Sequence, residues 1–502
     1  MDKQHDQPCP SPFNMAAYVL AAAAHAPDKI ALEVLADEKQ CWSFAQIESA
    51  VRGVATGLLN TGLQENDLVM LRIGNTADFP IAYLGIIAVG MVAVPTSSAL
   101  TQSEITKMAQ AVKPSAILQD DALAVPEIRG AQSISLGSLR DMYALPPAPW
   151  HMADAERPAY VVFTSGTSAA PRAVQHAHRA IWARRMMHKD WYDISSEDRL
   201  LHAGAFNWTF TLGTGLMDPW SVGATALIAK DGTPPENLPY LLAQSKATLF
   251  AAAPGVFRKI VRVHMPKLPH LRHALSAGEK MPVALHAAWT EATGLKVYEA
   301  FGMSECSTFI SSSPQRETSP DHIGLPQKGR NVAVLTQEGN PAPVGEIGTI
   351  AIHRSDPGLM LGYLNDTAGT KARFQGEWFL TGDLGQTDAK GAISYAGRSD
   401  DMINAGGFRV SPLEIETVFQ RNRAINQCAA IEVKLKTGVS LIALCYVTEG
   451  DLEQNELEAL ANQHLARYKH PRIYHPCDTL PSSANGKLLR RVLRAQIEAH
   501  YG

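Results

Sequence analysis

Cysteine is scarce in this 502-residue chain: Cys9, Cys41, Cys306, Cys428, Cys445 and Cys477 are scattered, with no CxxC spacing. That argues against a disulfide framework or a thiolate zinc site and fits a reducing, cytoplasmic setting. Charge of one sign is missing as well, since 45 Lys and Arg face 49 Asp and Glu for a net −4, with no long run of either. No nucleic-acid or anionic-membrane partner is expected from such a surface. Long apolar runs are also absent. Phe79 to Val94 comes nearest, but Pro80 and Pro95 bracket it and Gly85 and Gly90 interrupt it. It reads as a buried helix running into a strand, so no membrane span is expected. Met15 to Ala24 is alanine-rich, yet Asp2 and Asp6 precede it, Asn14 sits at an N-cap position and Pro27 follows. A helix is expected there, and not a cleaved secretory signal. There is no fixed-period repeat. What is present, 46% hydrophobic and 19% charged residues, excludes long disorder. The length exceeds one core, so two or more domains are expected.

Along the first part, apolar runs alternate with amphipathic ones. Ser43 to Leu59 has helical spacing, and Leu68 to Ile73, Val92 to Val94 and Ala116 to Leu118 are strand-like. Such alternation predicts largely parallel sheets covered by helices. From Ile347 to Tyr395 the pattern changes to short strands with polar turns, as at Asp388–Ala389–Lys390–Gly391. A polar stretch, Gly397 to Gly407, follows. After it come a helix (Leu413 to Phe419), two strands (Cys428 to Val433 and Val439 to Val447) and a helix (Glu453 to Leu465). That is a compact α+β unit large enough to fold alone. A boundary near Asp400 divides the chain into 1–399 and 400–502.

Five stretches carry candidate chemistry. A strand-like run from Tyr160 empties into Thr164–Ser165–Gly166–Thr167–Ser168–Ala169–Ala170–Pro171–Arg172. Hydroxyls and backbone N–H groups beside a cation suit phosphate oxygens, although such loops also serve as plain connections. The P-loop spacing is absent. In Glu299–Ala300–Phe301–Gly302–Met303–Ser304–Glu305, a carboxylate beside a hydroxyl offers Mg²⁺ hard oxygen ligands. A solvated glutamate is the plainer reading. Thr381–Gly382–Asp383 ends an apolar run, where a carboxylate can accept ribose hydroxyls or simply sit in a turn. Gly397–Arg398–Ser399–Asp400–Asp401 and Gly406–Gly407–Phe408–Arg409 suit a hinge touching an anion, or a salt-bridged linker. Asn485–Gly486–Lys487 puts a lysine after a turn, most often a solvated charge.

The series TSGTSAAPRAV, FGMSE, TGD, GRSDDMINAGGFR and NGK, in that order from Thr164 to Lys487, resembles the adenylate-forming superfamily. The likeness also covers KIALEVL and LGIIAVGMVAVP, hence nearly the whole chain, and within the superfamily it is most similar to carboxylic acid–CoA ligases. The resemblance implies an α/β fold: a large N-terminal domain of β-sheets flanked by helices, plus a small mobile α+β C-terminal domain. It implies an acid–thiol ligase that activates a carboxylic acid with ATP and Mg²⁺ as acyl-AMP, releases pyrophosphate, and passes the acyl group to coenzyme A. By that likeness Thr164, Ser165, Gly166, Thr167, Ser168 and Arg172 would surround the outer phosphates. Glu305 would bind Mg²⁺ and Ser304 would contact the α-phosphate. Gly278, Glu279 and Lys280 would line the adenine site with Ala300, Phe301, Gly302 and Met303. Asp383 and Arg398 would hold the ribose, and Asp400 would be the hinge. Lys487 would reach the reacting oxygens during adenylation, Arg409 would add positive charge near the phosphates, and Gly406 and Gly407 would border the CoA passage.

The chemistry needs such groups. A carboxylate is a poor nucleophile and is repelled by a triphosphate, so cations must offset that repulsion. Ala169, Arg172 and Ala173 stand where the superfamily usually has Gly, Lys and Gly, which stiffens the loop and offers a planar fork in place of a point charge. Phe206, Asn207, Trp208 and Phe210 lie where it builds the acyl pocket. Asn207 replaces the aspartate of amino-acid-activating relatives, so an amino-acid ammonium would be left unpaired. The aromatics suit an apolar or aromatic acid; they also suit a core. Two alternatives stay open: loading of a carrier-protein thiol, and a non-catalytic nucleotide-binding relative.

Overall fold

The computed structural model describes residues 7–36, 40–164, 172–405, 408–434, 440–448, 450, 452–482 and 488–501, with only the backbone of 404, 405, 408 and 409. Parallel strands form where apolar runs alternate with helices. Ile30–Leu35, Thr225–Ala229, Arg199–His202, Leu249–Ala252, His273–Ala277 and Val297–Met303 lie side by side in that spatial order, all parallel. The sheet then continues antiparallel through Ser307–Ser311, His322–Pro326, Ile393–Arg398, Trp378–Thr387, Gly348–His353 and Val332–Leu335. This change of direction follows the change from helix-linked runs to strands joined by polar turns. At one such turn Gly391 N–H closes onto Asp388 O, with Lys390 N–H on the Asp388 carboxylate.

A second sheet contains Leu68–Arg72, Val92–Pro95, Ala116–Gln119 and Gln132–Ser135 in parallel, with Pro158–Thr164, Arg172–Ala177 and Gly362–Tyr363 at its other side. The helix Phe44–Asn60 starts at a capping box in which Ser43 and Gln46 exchange side-chain and backbone hydrogen bonds. The helix Asp78–Ala88 is buried at every position. Both helices share one apolar core with residues of each sheet, Val69 and Ala93 on one side and Ala226 and Ile228 on the other. A helix apolar all round is what a position between two sheets demands. Asn14 caps the helix Met15–Val19 through Ala16 N–H and Ala17 N–H, as its sequence position suggests. The alanines beyond it form a short 3₁₀ turn, Ala21–Ala24.

The C-terminal elements have cores of their own. Ile425–Lys434, Ser440–Thr448 and Ile473–Pro476 make a three-stranded sheet, covered by the helices Pro412–Phe419, Gln454–His464 and Arg490–Tyr501. The stretch read from sequence as a polar connection contains a small ribbon, Ile403–Ala405 against Phe408–Val410. Its apolar ends, Ile403 and Val410, are buried in the C-terminal core. Period-two reading missed it because each strand is only three residues long.

Candidate active site

Thr164 and Arg172 face each other across the antiparallel strands Pro158–Thr164 and Arg172–Ala177, at the two feet of the hydroxyl-rich loop. Ser165, Gly166, Thr167 and Ser168 themselves lie outside the described residues, as do Gly406, Gly407, Lys487 and the side chain of Arg409. Arg172 does not stand alone. Its guanidinium carbon lies 5.1 Å from the centre of the Tyr363 ring. A planar guanidinium stacks on an aromatic face in a way a lysine ammonium does not.

The Tyr363 hydroxyl donates to Glu305 Oε1 at 2.7 Å, and both residues are buried. Burial, and then the adjacent carboxylate, push the phenol well up, so it stays a donor. Glu305 sits in the turn that folds the strand Val297–Met303 back as Ser307–Ser311. Gly302 makes that turn possible: a Cβ there would come within 2.3 Å of Ser307 O. Four further residues brace it. Met360 N–H donates to Glu305 O at 2.8 Å. Arg330, fully buried and paired with Asp356 at 3.0 Å, donates to Cys306 O and Thr308 O. Arg184, held by Asp218, reaches the Ser307 hydroxyl. His176 Nε2 lies 2.7 Å from Ser304 O. Burial lowers the His176 pKa to about 4, so the ring is neutral at pH 7 and the Nε2–H tautomer is the one that donates.

Asp383 and Arg398 are cross-strand partners. Arg398 Nη1 lies 3.3 Å from Asp383 Oδ2, while Tyr395 OH donates to Asp383 Oδ1 at 2.9 Å. The Tyr395 ring packs on Phe301, with centroids 5.6 Å apart. Phe301, Asp383 and Arg398 are thus joined in one cluster, and Phe301 shares its strand-and-turn unit with Ser304 and Glu305. Arg398 Nε also contacts Asp400 at 3.1 Å, which ties the cluster to the beginning of the C-terminal segment.

Gly278 has a left-handed φ of +105°, and a Cβ on it would meet the Trp208 ring at 2.8 Å. Trp208 therefore leans on the strand end that carries Gly278, while Glu279 pairs with Arg258 at 3.5 Å. Ala300 is buried and Met303 half-buried on the neighbouring strand. The Lys280 side chain is engaged within the chain. Its ammonium donates to Glu299 Oε2 at 2.5 Å, Pro320 O at 2.6 Å and His322 O at 3.1 Å. All three of its protons are used within the chain, so only its backbone is left to border a nucleotide. Glu299 also accepts from Met281 N–H at 2.7 Å and lies 3.1 Å from His286, which makes it a structural anchor.

The aromatic segment divides. Phe206 is 1% exposed and stacks on Phe79 at 5.3 Å, a core ring. Phe210 stacks on Trp191 at 5.8 Å, and Trp208 stands edge-on to it at 5.2 Å. Asn207 and Trp208 are half-buried. Asn75 pins the segment by donating to Gly204 O at 3.0 Å and accepting from Phe206 N–H at 3.1 Å. Tyr363, Tyr395, His176 and Asn75 all escaped the sequence reading. Each acts across more than ten residues of chain, so only the tertiary structure reveals them.

The chain is similar to known proteins over nearly its whole length. The family model described as AMP-binding enzyme matches residues 19–364, and the one described as AMP-binding enzyme C-terminal domain matches 414–487. The mitochondrial acyl-coenzyme A synthetase ACSM3 of Rattus norvegicus is 26% identical over 488 residues, covering 90% of this chain and 84% of that protein. The uncharacterized acyl-CoA ligase YtcI of Bacillus subtilis (strain 168) is 25% identical over 483 residues, covering 92% and 91%. Among solved structures, the anthranilate CoA ligase AuaEII in complex with anthranoyl-AMP superposes with a TM-score of 0.90 at 25% identity, covering 99% of each chain. A benzoate CoA ligase from Burkholderia xenovorans LB400 does so with a TM-score of 0.87 at 26% identity, covering 96% of this chain and 100% of that one. Both parts of the sequence are matched in their proper order, on the fold that those ligases share, and the chain belongs to the AMP-binding enzyme family.

Proposed function

We propose that this chain is an acid–thiol ligase that activates an apolar or aromatic carboxylic acid with ATP as acyl-AMP and then transfers the acyl group to coenzyme A. The observation that carries the reading is the Glu305 carboxylate. It is 8% exposed, Tyr363 holds one of its oxygens, and the other has no hydrogen-bond partner among the described residues. A buried carboxylate with one oxygen fixed and one open, beside the Ser304 hydroxyl, fits Mg²⁺, which takes one or two carboxylates and completes its shell with phosphate oxygens and water. When bound, Mg²⁺ supplies charge neutralisation of the phosphate oxygens. Tyr363 orients the carboxylate. Arg172 and the hydroxyls of the Thr164–Arg172 stretch would take the outer phosphates, Asp383 and Arg398 the ribose, and Phe301 would offer adenine a flat face. The acid's carboxylate attacks the α-phosphorus, pyrophosphate leaves, and the thiol of CoA then displaces AMP from the acyl carbon.

The two steps need different groups at one centre. In this reading residues 400–502 turn about Asp400, presenting Lys487 for adenylation and withdrawing it for thioester formation. The last strand of the large sheet ends at Arg398 and the first C-terminal strand begins at Ile403, which supports a joint there. Arg409 adds charge near the phosphates, and Gly406 and Gly407 border the CoA passage. Among the described residues no helix is long and apolar enough to cross a membrane.

The test offers the purified chain ATP, Mg²⁺ and a panel of carboxylic acids, with and without CoA, and measures AMP and thioester by mass spectrometry. AMP release that depends on both acid and CoA is expected for at least one member. No AMP with any acid from folded protein overturns the reading.

A further inference from the structure

Ser411 stands where a helix cap belongs and does not cap. It directly precedes the helix Pro412–Phe419, and its φ of −73° and ψ of 125° are those of a capping residue. Its side chain nevertheless makes no hydrogen bond to that helix. The sequence Ser411–Pro412–Leu413–Glu414 carries the S-x-x-E pattern of a capping box. Elsewhere in the chain such boxes close: Ser43 with Gln46, and Thr101 with Glu104, exchange side-chain and backbone hydrogen bonds at their helix starts. At Ser411 both partners are turned elsewhere. The hydroxyl donates to Ala396 O at 2.6 Å, and the Glu414 carboxylate accepts from the Lys469 ammonium.

Ala396 is prepared for that bond. In the ladder between Trp378–Thr387 and Ile393–Arg398, Leu384 pairs with Gly397 and Gly385 with Tyr395. Ala396 is the extra residue of a β-bulge, and a bulge leaves that residue without a cross-strand partner. A Cβ on Gly397 would lie 3.6 Å from Ser411 Oγ and 3.9 Å from Leu413 Cδ1, so the helix start rests on the bulge. The bond also spans the proposed joint. Ala396 belongs to the large sheet, whereas the helix after Ser411 buries Ile415 and Phe419 in the C-terminal core. Residues 397–410, Asp400 among them, run between the two ends of the bond. The neighbouring carboxylates divide in the same way. Asp400 faces Arg398 at 3.1 Å, while Asp401 lies 3.7 Å from Arg490, which is paired with Glu416 in the C-terminal unit. A turn about Asp400 therefore carries Ser411 away from Ala396 and breaks the bond.

We propose that the Ser411 hydroxyl is a two-position latch on the turn between the half-reactions. It bonds Ala396 O in the orientation of this structure, and it caps its own helix, at Leu413 N–H or Glu414 N–H, once the C-terminal segment has turned away. This rests on the rotation reading above and adds to it a residue that positions the segment without touching substrate. The backbone at Ser411 already has the capping conformation, so the exchange needs only a rotation about its Cα–Cβ bond. A neutral side-chain hydrogen bond and a helix cap are of similar worth, so trading one for the other steadies each orientation and locks neither.

The experiment measures the half-reactions separately in Ser411→Asp, Ser411→Gly and Ser411→Thr, with the most active acid of the panel above. One assay follows single-turnover pyrophosphate release without CoA; the other follows thioester formation from supplied acyl-adenylate and CoA. Aspartate caps well but has no proton to donate to Ala396 O. In Ser411→Asp the ratio of the two rates is expected to move by about tenfold from wild type, one half-reaction falling while the other is kept. Glycine, which also lacks the donor yet is tolerated as a cap, is expected to move the ratio the same way by a smaller factor, and it decides should Ser411→Asp fail to fold. Threonine donates and caps, and is expected to restore the wild-type ratio to within about twofold. Thermal unfolding is the folding control. An equal change of both half-reactions in the aspartate and glycine variants makes Ser411 a packing residue and overturns the latch, as does a threonine variant that behaves like the aspartate one. Lys487→Ala separates the two readings: equal loss of both half-reactions there overturns the rotation and the latch with it, whereas a split there beside an unmoved Ser411→Asp ratio overturns the latch alone.

Discussion

The turn that carries Glu305 and the joint that carries Asp400 are built in opposite ways. Around Glu305, side chains and backbone from four separate segments converge: Arg330, Met360 and Tyr363, His176, and Arg184. At the joint, the Arg398 side chain is 34% exposed and divides its guanidinium between Asp383 and Asp400, whose own side chain is 46% exposed. The pair with Asp400 is exposed and therefore weak, whereas the Asp383 carboxylate is buried. The first region is over-determined, as a carboxylate that must meet a metal and phosphates in one geometry requires. At the second, the Arg398–Asp400 pair can part at little cost, which suits the proposed pivot.

The comparison can be broken at its strongest point. Arg330→Met leaves Asp356 buried without its cation, and a loss of about 3–5 kcal/mol in unfolding free energy by denaturant titration is expected. A loss below about 1 kcal/mol, the value of an exposed pair, would show that the turn is not held as tightly as its contacts imply. Lys487→Ala probes the other region. Acid-dependent adenylation should fall by about 10²–10³, while thioester formation from supplied acyl-adenylate and CoA is retained. Equal loss of both half-reactions would contradict a pivoting C-terminal segment. Tyr363→Phe sharpens the contrast within the turn. The Mg²⁺ concentration giving half-maximal ATP binding, read by calorimetry, should rise by about tenfold, with global stability little changed. Restoring wild-type Mg²⁺ dependence requires a hydroxyl at that position; an unchanged requirement in the phenylalanine variant removes Tyr363 from the metal site.

A further expected effect is of pH on stability. Burial lowers His176 to about 4 from an ordinary value near 6.5. The unfolded chain therefore binds its proton first as pH falls. Stability contributed by the neutral ring is complete above about 6.5 and is lost between there and about 4. His176→Gln should flatten part of that slope in denaturant titrations at a series of pH values. An identical slope in the variant would assign the loss to other buried histidines, such as His178, whose pKa burial lowers to about 3.

Much of the architecture could be read in advance. The helix Phe44–Asn60, the strands Leu68–Arg72, Val92–Pro95 and Ala116–Gln119, and the C-terminal helix–strand–strand–helix order all follow from periodicity and caps. The ribbon Ile403–Ala405/Phe408–Val410 did not, because three residues are too few to show a period. The site was legible as a set of residue types: a carboxylate in FGMSE, another in TGD, an arginine after a strand. Lys280 shows where that legibility ends. Its neighbours in sequence suggested a nucleotide contact, but Glu299 and two carbonyls from a distant loop consume its protons.

Composition, periodicity and ordered motifs determined by themselves the class of fold, the family and the kind of chemistry, because these depend on local hydrophobic spacing and on which functional groups are present. Only the tertiary structure decided which oxygen of Glu305 is open among the described residues, that Tyr363 joins it to Arg172, and that Phe206 is a core ring. Each of those facts is a distance between residues far apart in the chain. Hydrogen bonding and burial depend on such distances, and strand register and packing set them.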